Sequence, residues 1–381
     1  MPRVRGARQT GVMAATSFPA LRAMRLAAHG FRTPEEEAVS VVERLGALQA
    51  QDLPAARWVI GSRMSRPTVD AVDDALESRR VVRSWPMRGT LHVMPTRMLR
   101  PVLALTGPRV LNRASLRHQR LGLGDREYRI ARAAVERELA GGASATRDEL
   151  SAMWADAGIP AEGQRTYHLI WWLALDAVLC CGPVDGRVQH FALLDEWAPA
   201  PSDSPEDREE VLADLVAAYV GGHGPATVAD FAWWAGLTLA DARAALASAG
   251  DRIELFPGDE ERFVAVGAQD AAAARPRGAL ALSGFDEYFL GYADRTAVCE
   301  PEFADLVVPG RNGVFQPILV LDGRVVGTWA RAGTTAKPRA ELRWFQPMAS
   351  GTATRFHRPL EGWARFAGVE LQGIDDRVAH P

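Results

Sequence analysis

Apolar positions between Thr33 and Leu48 predict a helix that runs into a polar segment. A hydroxyl residue followed by Pro34 and three glutamates is typical of a helix start. An apolar stripe with three-residue spacing follows, made of Val39, Val42, Leu45 and Leu48. Gln49 and Gln51 lie where the stripe stops. Because alternate side chains of extended backbone share one side, we expect both amides to face the same way.

The same order of elements is predicted three times: helices followed by a two-stranded hairpin. The hairpins cover residues 81–94, 178–193 and 253–266, and the second turns at Asp185-Gly186. A long helix from Pro95 to Leu121 follows the first hairpin. In a winged helix the helices are followed by a hairpin, so the pattern predicts tandem winged helices. No linear sequence repeat is obvious, so element order alone carries this prediction.

From Gly278 onward the pattern becomes strand-like. Residues 313–329 form a hairpin pattern with an Asp-Gly turn, and residues 342–345 add another strand. A closing helix is predicted from Glu361 to Val369. We expect these strands to form a small β-barrel, because closure removes their free edges.

These elements predict an α+β fold with three winged-helix motifs and a C-terminal β-barrel. The expected divisions are a disordered tail (1–17), a first winged helix with an arginine-rich helical extension (18–130), a second (131–197), a third (206–270), and the barrel domain (278–381). Within the tail, Met13 is a candidate for the native start.

Composition is ordinary for a globular protein, with 48% hydrophobic and 24% charged residues. No apolar run is long enough for a membrane span. Three cysteines, two of them adjacent, have neither a disulfide framework nor metal-ligand spacing, so we expect a cytoplasmic protein without zinc or another cofactor.

The formal net charge of -3 argues against a nucleic-acid partner until its distribution is considered. From Arg79 to Gly124 the chain has ten arginines and no Asp or Glu. A genome that favours Arg codons explains why Lys337 is the only lysine, but it does not explain the missing acids. We therefore predict a phosphate-binding face on this segment.

The amides of Gln49 and Gln51 cannot act as general acid or base, but each offers an oxygen acceptor and two N–H donors. Together they could hold and orient a water molecule. The alternative is a solvated helix end of no chemical consequence, since such pairs are ordinary in surface loops.

Three stretches resemble the bacterial winged-helix DNA glycosylases that unhook interstrand cross-links. They are Leu48–Asp52, Trp85–His92 and Phe285–Arg295. The Gln-Ala-Gln sequence matches the branch of the family that includes azinomycin resistance, whereas the other branch has Asp at the second site. The resemblance implies three winged helices and a β-barrel around a concave DNA-binding channel.

It also implies a substrate, N7-alkylated guanine in duplex DNA, including guanines joined across the strands. An N7-alkylated base is cationic and leaves as a neutral group, so no general acid is needed. Gln49 and Gln51 would place a water beneath C1′ of the sugar. A cross-linked guanine cannot be flipped out, so we expect catalysis with the base in or near the stack.

Further roles follow from the resemblance. Arg88 is expected to contact phosphate from a wing tip, while His92 is either a DNA contact or a satisfied strand histidine. Arg311 and Asn312 are expected on a barrel hairpin that enters the minor groove, although the same residues make a good turn. Asp52 could add charge at the site, but a salt bridge from the helix end to an arginine is favoured. The tryptophan pairs 171–172 and 233–234 are interpreted as packing.

The predicted partner is double-stranded DNA, and the predicted enzyme is a monomeric, monofunctional glycosylase. No lysine lies near the glutamines to form a Schiff base, so no lyase step is expected. The main alternative is a non-catalytic winged-helix regulator or damage sensor. A toxin-sequestering protein would leave the arginine-rich segment without purpose, and the motifs of nucleophilic or metal hydrolases are missing from the sequence.

Overall fold

The computed structural model describes residues 17–160, 162–185, 188–268, 275–311, 313–334 and 337–378. The predicted tail up to residue 16, the turn residue Gly186, Asn312 and the side chain of Arg311 lie outside the described residues. Within the described ranges, no helix combines the length and apolar character needed to cross a membrane.

The first unit is a set of helices on a three-stranded sheet, and it is preceded by α1 (Phe18–Ala28). Its elements are α2 (Ala38–Leu45), β1 (Leu48–Gln49), α3 (Leu53–Gly61), α4 (Val69–Glu77), β2 (Val81–Met87) and β3 (Thr90–Pro95). Strand β3 lies between β1 and β2 and is antiparallel to both. The predicted first hairpin is therefore confirmed.

The predicted helix start at Thr33 is wrong, because α2 begins at Ala38. The residues before it pair with another part of the backbone. The N–H of Glu35 donates to the carbonyl of Arg63 at 2.9 Å, and the N–H of Ser65 donates to the carbonyl of Glu35 at 2.8 Å. These bonds form an isolated bridge between Glu35 and Met64. Backbone groups used in this way are not available to a helix.

Helix α5 (Thr96–Arg120) confirms the predicted long helix and leads into the second unit. That unit contains α6 (Asp125–Glu138), β4 (Ser144–Thr146), α7 (Arg147–Asp156), α8 (Gln164–Leu175), β5 (Leu179–Asp185) and β6 (Val188–Leu193), and α9 (Leu194–Trp197) follows. The predicted second hairpin is confirmed by the antiparallel pairing of β5 with β6.

The third unit repeats the order once more. Its elements are α10 (Arg208–His223), β7 (Ala226–Thr227), α11 (Val228–Ala235), α12 (Leu239–Ala249), β8 (Ile253–Leu255) and β9 (Arg262–Ala265). In each of the three sheets, the strand that comes last in sequence lies in the middle. The threefold element order is thus confirmed, while the use of these units as DNA-binding winged helices stays a prediction.

The C-terminal part contains a five-stranded sheet. Its elements are β10 (Ala279–Leu282), α13 (Glu287–Leu290), α14 (Ala304–Val307), β11 (Ile318–Leu321), β12 (Arg324–Gly333), β13 (Pro338–Trp344), α15 (His357–Phe366) and β14 (Ile374–Val378). The predicted hairpin with a turn at Asp322-Gly323 is confirmed as β11 and β12. The predicted closing helix is also present but begins earlier, at His357.

The described strands do not form the predicted closed barrel. They make an open sheet in the order β10-β11-β12-β13-β14, with β14 added parallel to β13. Its apolar face is covered by α15, whose Leu360 packs in one buried cluster with Trp329 and Leu342. The outer strand β14 has the sequence Ile-Asp-Asp-Arg-Val, and charged side chains protect an exposed edge. A covering helix and a charged edge together remove the need for closure.

Candidate active site

Gln49 is the last residue of β1 and lies opposite His92 of β3. Its side chain is buried, with 6% of the residue exposed. Its backbone N–H donates to Oε1 of Glu287 at 2.9 Å. One of the two predicted catalytic amides is therefore held inside the protein at the end of a short strand.

Gln51 lies two residues further along, in a bend, and is exposed. Its Oε1 accepts a hydrogen bond from the backbone N–H of Leu91 at 3.2 Å. Between the two glutamines, the N–H of Ala50 donates to the carbonyl of Leu91 at 2.7 Å. Both amides thus lie along the β2–β3 hairpin, but Gln49 is buried and Gln51 meets solvent.

The guanidinium of Arg88 holds the amide of Gln49. Arg88 and Gly89 form the tip of the hairpin, with φ of 55° and 73°. One arginine nitrogen donates to Oε1 of Gln49 at 3.1 Å and lies 3.1 Å from Nε2 of His92. The other donates to the carbonyl of Trp234. Burial lowers the pKa of Arg88 to about 10, so the guanidinium is still charged at neutral pH.

His92 is fully buried beside Arg88. Its Nδ1 lies 2.8 Å from the carbonyl of Thr90, so this nitrogen carries the proton and Nε2 accepts from Arg88. Burial and the charge of Arg88 lower the pKa of His92 to about 3. Both ring nitrogens of His92 thus have partners within the protein, and its contact with DNA stays a prediction.

The hairpin tip is packed rather than free. Nε1 of Trp171, on α8, donates to the carbonyl of Gly89 at 3.0 Å. A Cβ added at Gly89 would lie 3.0 Å from the Trp171 ring and 3.1 Å from Val110 of α5. Arg88 therefore points into the protein, and its predicted contact with phosphate is not supported by this orientation.

Glu287 is a site residue that sequence reasoning missed. It is fully buried, and Oε2 accepts from Nε1 of Trp234 at 3.1 Å while Oε1 accepts from Gln49. Burial alone would raise the pKa of Glu287, but contact with His223 and the charge of Arg88 hold it below the usual value. A signal was present in the sequence, since Asp286-Glu287 interrupts an apolar run and buried acids are paired.

Its neighbour Asp286 forms a separate buried ion pair. The carboxylate of Asp286 lies 2.8 Å from a guanidinium nitrogen of Arg63, and both side chains are fully buried. This pair ties the start of α13 to the end of α3. The segment that carries Glu287 is therefore fixed to the first unit at two adjacent residues.

Asp52 does not form the arginine salt bridge that was favoured. Its side chain accepts from the N–H of Ala55 at 3.0 Å and caps α3. Asp52 takes part in no ion pair found among the described residues. The aspartate therefore fixes the end of the glutamine segment through a helix cap.

The acid-free arginine segment is partly neutralised by acids from elsewhere in the chain. Arg80 lies 2.8 Å from Glu37, Arg97 lies 2.9 Å from Asp214, and Arg100 pairs with Asp195. A second group lies along the C-terminal half of α5, and no ion pair is found for it within the described ranges. It consists of Arg109, Arg113, Arg117 and Arg120. Spacings of four, four and three residues place these arginines on one helix face. We call the four residues the α5 arginine stripe.

The turn predicted to enter the groove follows α14. Residues Pro309–Arg311 form a 3-10 turn in which Gly310 has φ of 67°. Val314, just beyond, is exposed. Asn312 and the side chain of Arg311 lie outside the described part of the chain, so their DNA contacts stay a prediction.

The chain matches a family model described as DNA glycosylase AlkZ-like over residues 42–366, a range that includes both glutamines, Arg88 and Glu287. It is 30% identical over 316 residues to an interstrand DNA cross-link repair glycosylase of Streptomyces sahachiroi, covering 77% of this chain and 82% of that protein. The solved structure of Streptomyces sahachiroi DNA glycosylase AlkZ is also similar, with a TM-score of 0.77 and 25% identity, covering 96% of this chain and all of that one.

Proposed function

The chain belongs to the AlkZ-like family of DNA glycosylases, and on that premise we propose that it hydrolyses the N-glycosidic bond of N7-alkylguanine and unhooks interstrand cross-links in duplex DNA. The observation that carries this proposal is the fixed orientation of the two amides. Arg88 donates to Oε1 of Gln49, so the NH₂ group of Gln49 is left to donate elsewhere. Gln51 uses one lone pair of its oxygen for Leu91 and keeps the other.

This arrangement suits one water molecule between the amides. Such a water accepts a hydrogen bond from the Gln49 NH₂ group and donates one to Oε1 of Gln51. Its remaining lone pair then points at C1′ of the sugar, where positive charge develops as the base leaves. The rate gain comes from orienting the water before the bond breaks.

The chemistry of the site favours a base that leaves without help. His92 has a pKa of about 3, so it carries no extra proton at neutral pH, and its ring N–H is used by Thr90. Arg88 is bonded to Gln49, His92 and Trp234. Neither residue is a suitable general acid. A cationic N7-alkylguanine needs none, because it departs as a neutral molecule.

We propose that Arg88 and His92 position the amide of Gln49 and do not contact DNA. Phosphate binding falls to the α5 arginine stripe. The hairpin tip lies between the stripe and the amides, because a Cβ added at Gly89 would lie 3.1 Å from Val110, the neighbour of Arg109. Arginines on one helix face neutralise phosphates and place the duplex without reading its sequence. The turn at Arg311 and Asn312 is proposed to enter the minor groove.

We assign the biological role to repair and to self-protection against a bis-alkylating toxin of the azinomycin type. The name of the Streptomyces relative supports the cross-link part of this role. A protein that works on cross-linked strands must act without flipping the base, since a guanine tied to the opposite strand cannot leave the helix. The enzyme is proposed to act as a cytoplasmic monomer.

The test is release of 7-methylguanine and unhooking of a cross-linked duplex by the wild type, Gln49→Ala, Gln51→Ala and the double variant. Each single variant is expected to bind duplex DNA normally and to lose about 100-fold or more of the single-turnover rate. Gln119→Ala, which changes an exposed glutamine on α5, is the matched control. A wild type that binds duplex and releases no base would instead support the non-catalytic alternative.

A further inference from the structure

A buried histidine–glutamate pair lies directly behind Gln49. Nε2 of His223, the last residue of α10, is 3.4 Å from Oε2 of Glu287. Both side chains are fully buried. The water-orienting step described above uses neither of them, although Glu287 bonds the main chain of Gln49.

The imidazole of His223 is held through its other nitrogen. Nδ1 lies 3.1 Å from the carbonyl oxygen of Tyr219, which can only accept, so Nδ1 carries a proton. Nε2 faces the carboxylate of Glu287 and has no hydrogen-bond partner among the described residues.

The carboxylate is also the acceptor for two other parts of the chain. Oε1 accepts from the N–H of Gln49 on β1, and Oε2 accepts from Nε1 of Trp234 on α11. Glu287 thereby joins the first unit, the third unit and α13 at one point. A shift of this carboxylate moves the backbone that carries the catalytic amide.

We infer that Glu287 is a positioning residue for the hydrolysis and that it acts through the main chain of Gln49. The inference rests on the proposed function. Without the acceptor at Oε1 of Glu287, Gln49 shifts away from the water. The rate of the chemical step is therefore expected to fall, while DNA affinity is maintained.

The test measures single-turnover release of 7-methylguanine from methylated duplex DNA at pH 7, with DNA affinity and melting temperature for each variant. Glu287→Leu removes the acceptor of the Gln49 N–H. Glu287→Gln with Trp234→Phe keeps an oxygen acceptor for that N–H, and its NH₂ group can donate to Nε2 of His223 without meeting the N–H of Trp234.

Asp230→Asn is the matched control. Asp230 is an equally buried carboxylate that accepts three backbone N–H bonds, from Thr227 at 3.0 Å, Ala293 at 2.9 Å and Asp294 at 3.0 Å. No contact joins it to Gln49 among the described residues. It reports what loss of a buried carboxylate does to folding alone.

The expected result is a drop of about 100-fold in rate for Glu287→Leu, with DNA affinity unchanged, and recovery of most of this loss in Glu287→Gln with Trp234→Phe. The inference is overturned if Glu287→Leu keeps the wild-type rate, if the amide variant folds and is as slow as Glu287→Leu, or if Asp230→Asn reproduces the defect. Failure of the proposed function is distinguishable, because the wild type itself would then release no base.

Discussion

The first and second units differ at the junction between their first strand and the helix that follows. In the second unit β4 ends at Thr146, which lies opposite His190, and α7 begins at the next residue. In the first unit β1 ends at Gln49, which lies opposite His92, but α3 begins only at Leu53. Three residues, Ala50 to Asp52, have been added at this point.

The third unit agrees with the second. Thr227 ends β7 and caps α11, as Thr146 ends β4 and caps α7. Gln49 thus occupies the place where the other units have a capping threonine, and the cap of the first unit has moved to Asp52. The candidate site therefore lies where the strand–helix junction of the first unit differs from the junction in the other two units, and both glutamines are part of that difference.

The largest effect is expected from removing the arginine that holds the added segment. Arg88→Met should lower the single-turnover rate of base release by about 100-fold, because the Gln49 amide loses the donor that orients it. Arg97→Met, which breaks an ion pair with Asp214 at the start of α5, is the control. If the two variants have equal rates, the amide does not depend on the hairpin tip.

A smaller effect is expected in the pH dependence of stability. The pKa of His92 is about 3 in the folded protein and about 6.5 in an unfolded chain. The unfolded state therefore takes up a proton first as the pH falls. The stabilisation is complete above about pH 6.5 and is lost toward pH 3, by at most about 1.4 kcal/mol per pH unit.

Urea unfolding at pH 7 and pH 5.5 measures this effect. His92→Asn should have a shallower dependence than the wild type. His190, at the corresponding position of the second unit and half-buried, provides the matched control His190→Asn. Equal slopes for all three proteins would contradict the assignment of the acid sensitivity to His92.

Substitutions of the capping residues should separate effects on stability from effects on activity. Thr146→Ala and Thr227→Ala should each cost about 1 kcal/mol of unfolding free energy and leave base release intact. Asp52→Ala should have a similar cost in stability and should also slow base release, because its cap fixes the end of the added segment. Chemical denaturation and single-turnover assays decide this, and an Asp52 variant with normal activity would speak against the role of the added residues.

The smallest effect is expected from the α5 arginine stripe. Arg113→Ala and Arg120→Ala should each reduce the slope of log DNA affinity against log salt concentration by about one unit, because each removes about one phosphate contact. The loss of affinity itself should be modest. Arg80→Ala, which removes an arginine already paired with Glu37, should leave the salt slope unchanged. Titrations at several salt concentrations make the comparison, and equal slopes for all variants would remove the stripe from the DNA interface.

Local patterns in the sequence predicted the local structure well. The three hairpins, the long α5 and the Asp322-Gly323 turn are set by alternation and turn residues within a few positions of each other. The helix start at Thr33 failed because Glu35 is bonded to backbone at residues 63 and 65, which a local pattern does not contain. The closed barrel failed because α15 covers the face that closure would have buried.

The same limit applies to the candidate site. Gln49 and Gln51 were identifiable from a short motif, and their role remains a prediction. Arg88 was identified too, but its inward orientation follows from Trp171 and Trp234, which are distant in sequence. Glu287 was missed because its contact with Gln49 joins residues 238 positions apart.

That separation has a consequence for synthesis. The N–H of Gln49 has no carboxylate acceptor until Glu287, 238 residues later, has left the ribosome. At about 5–20 residues per second, the interval is roughly 10–50 s. A nascent or truncated chain that ends before α13 therefore lacks the carboxylate that anchors the glutamine segment. The order of translation thus delays assembly of the site until α13 has been made.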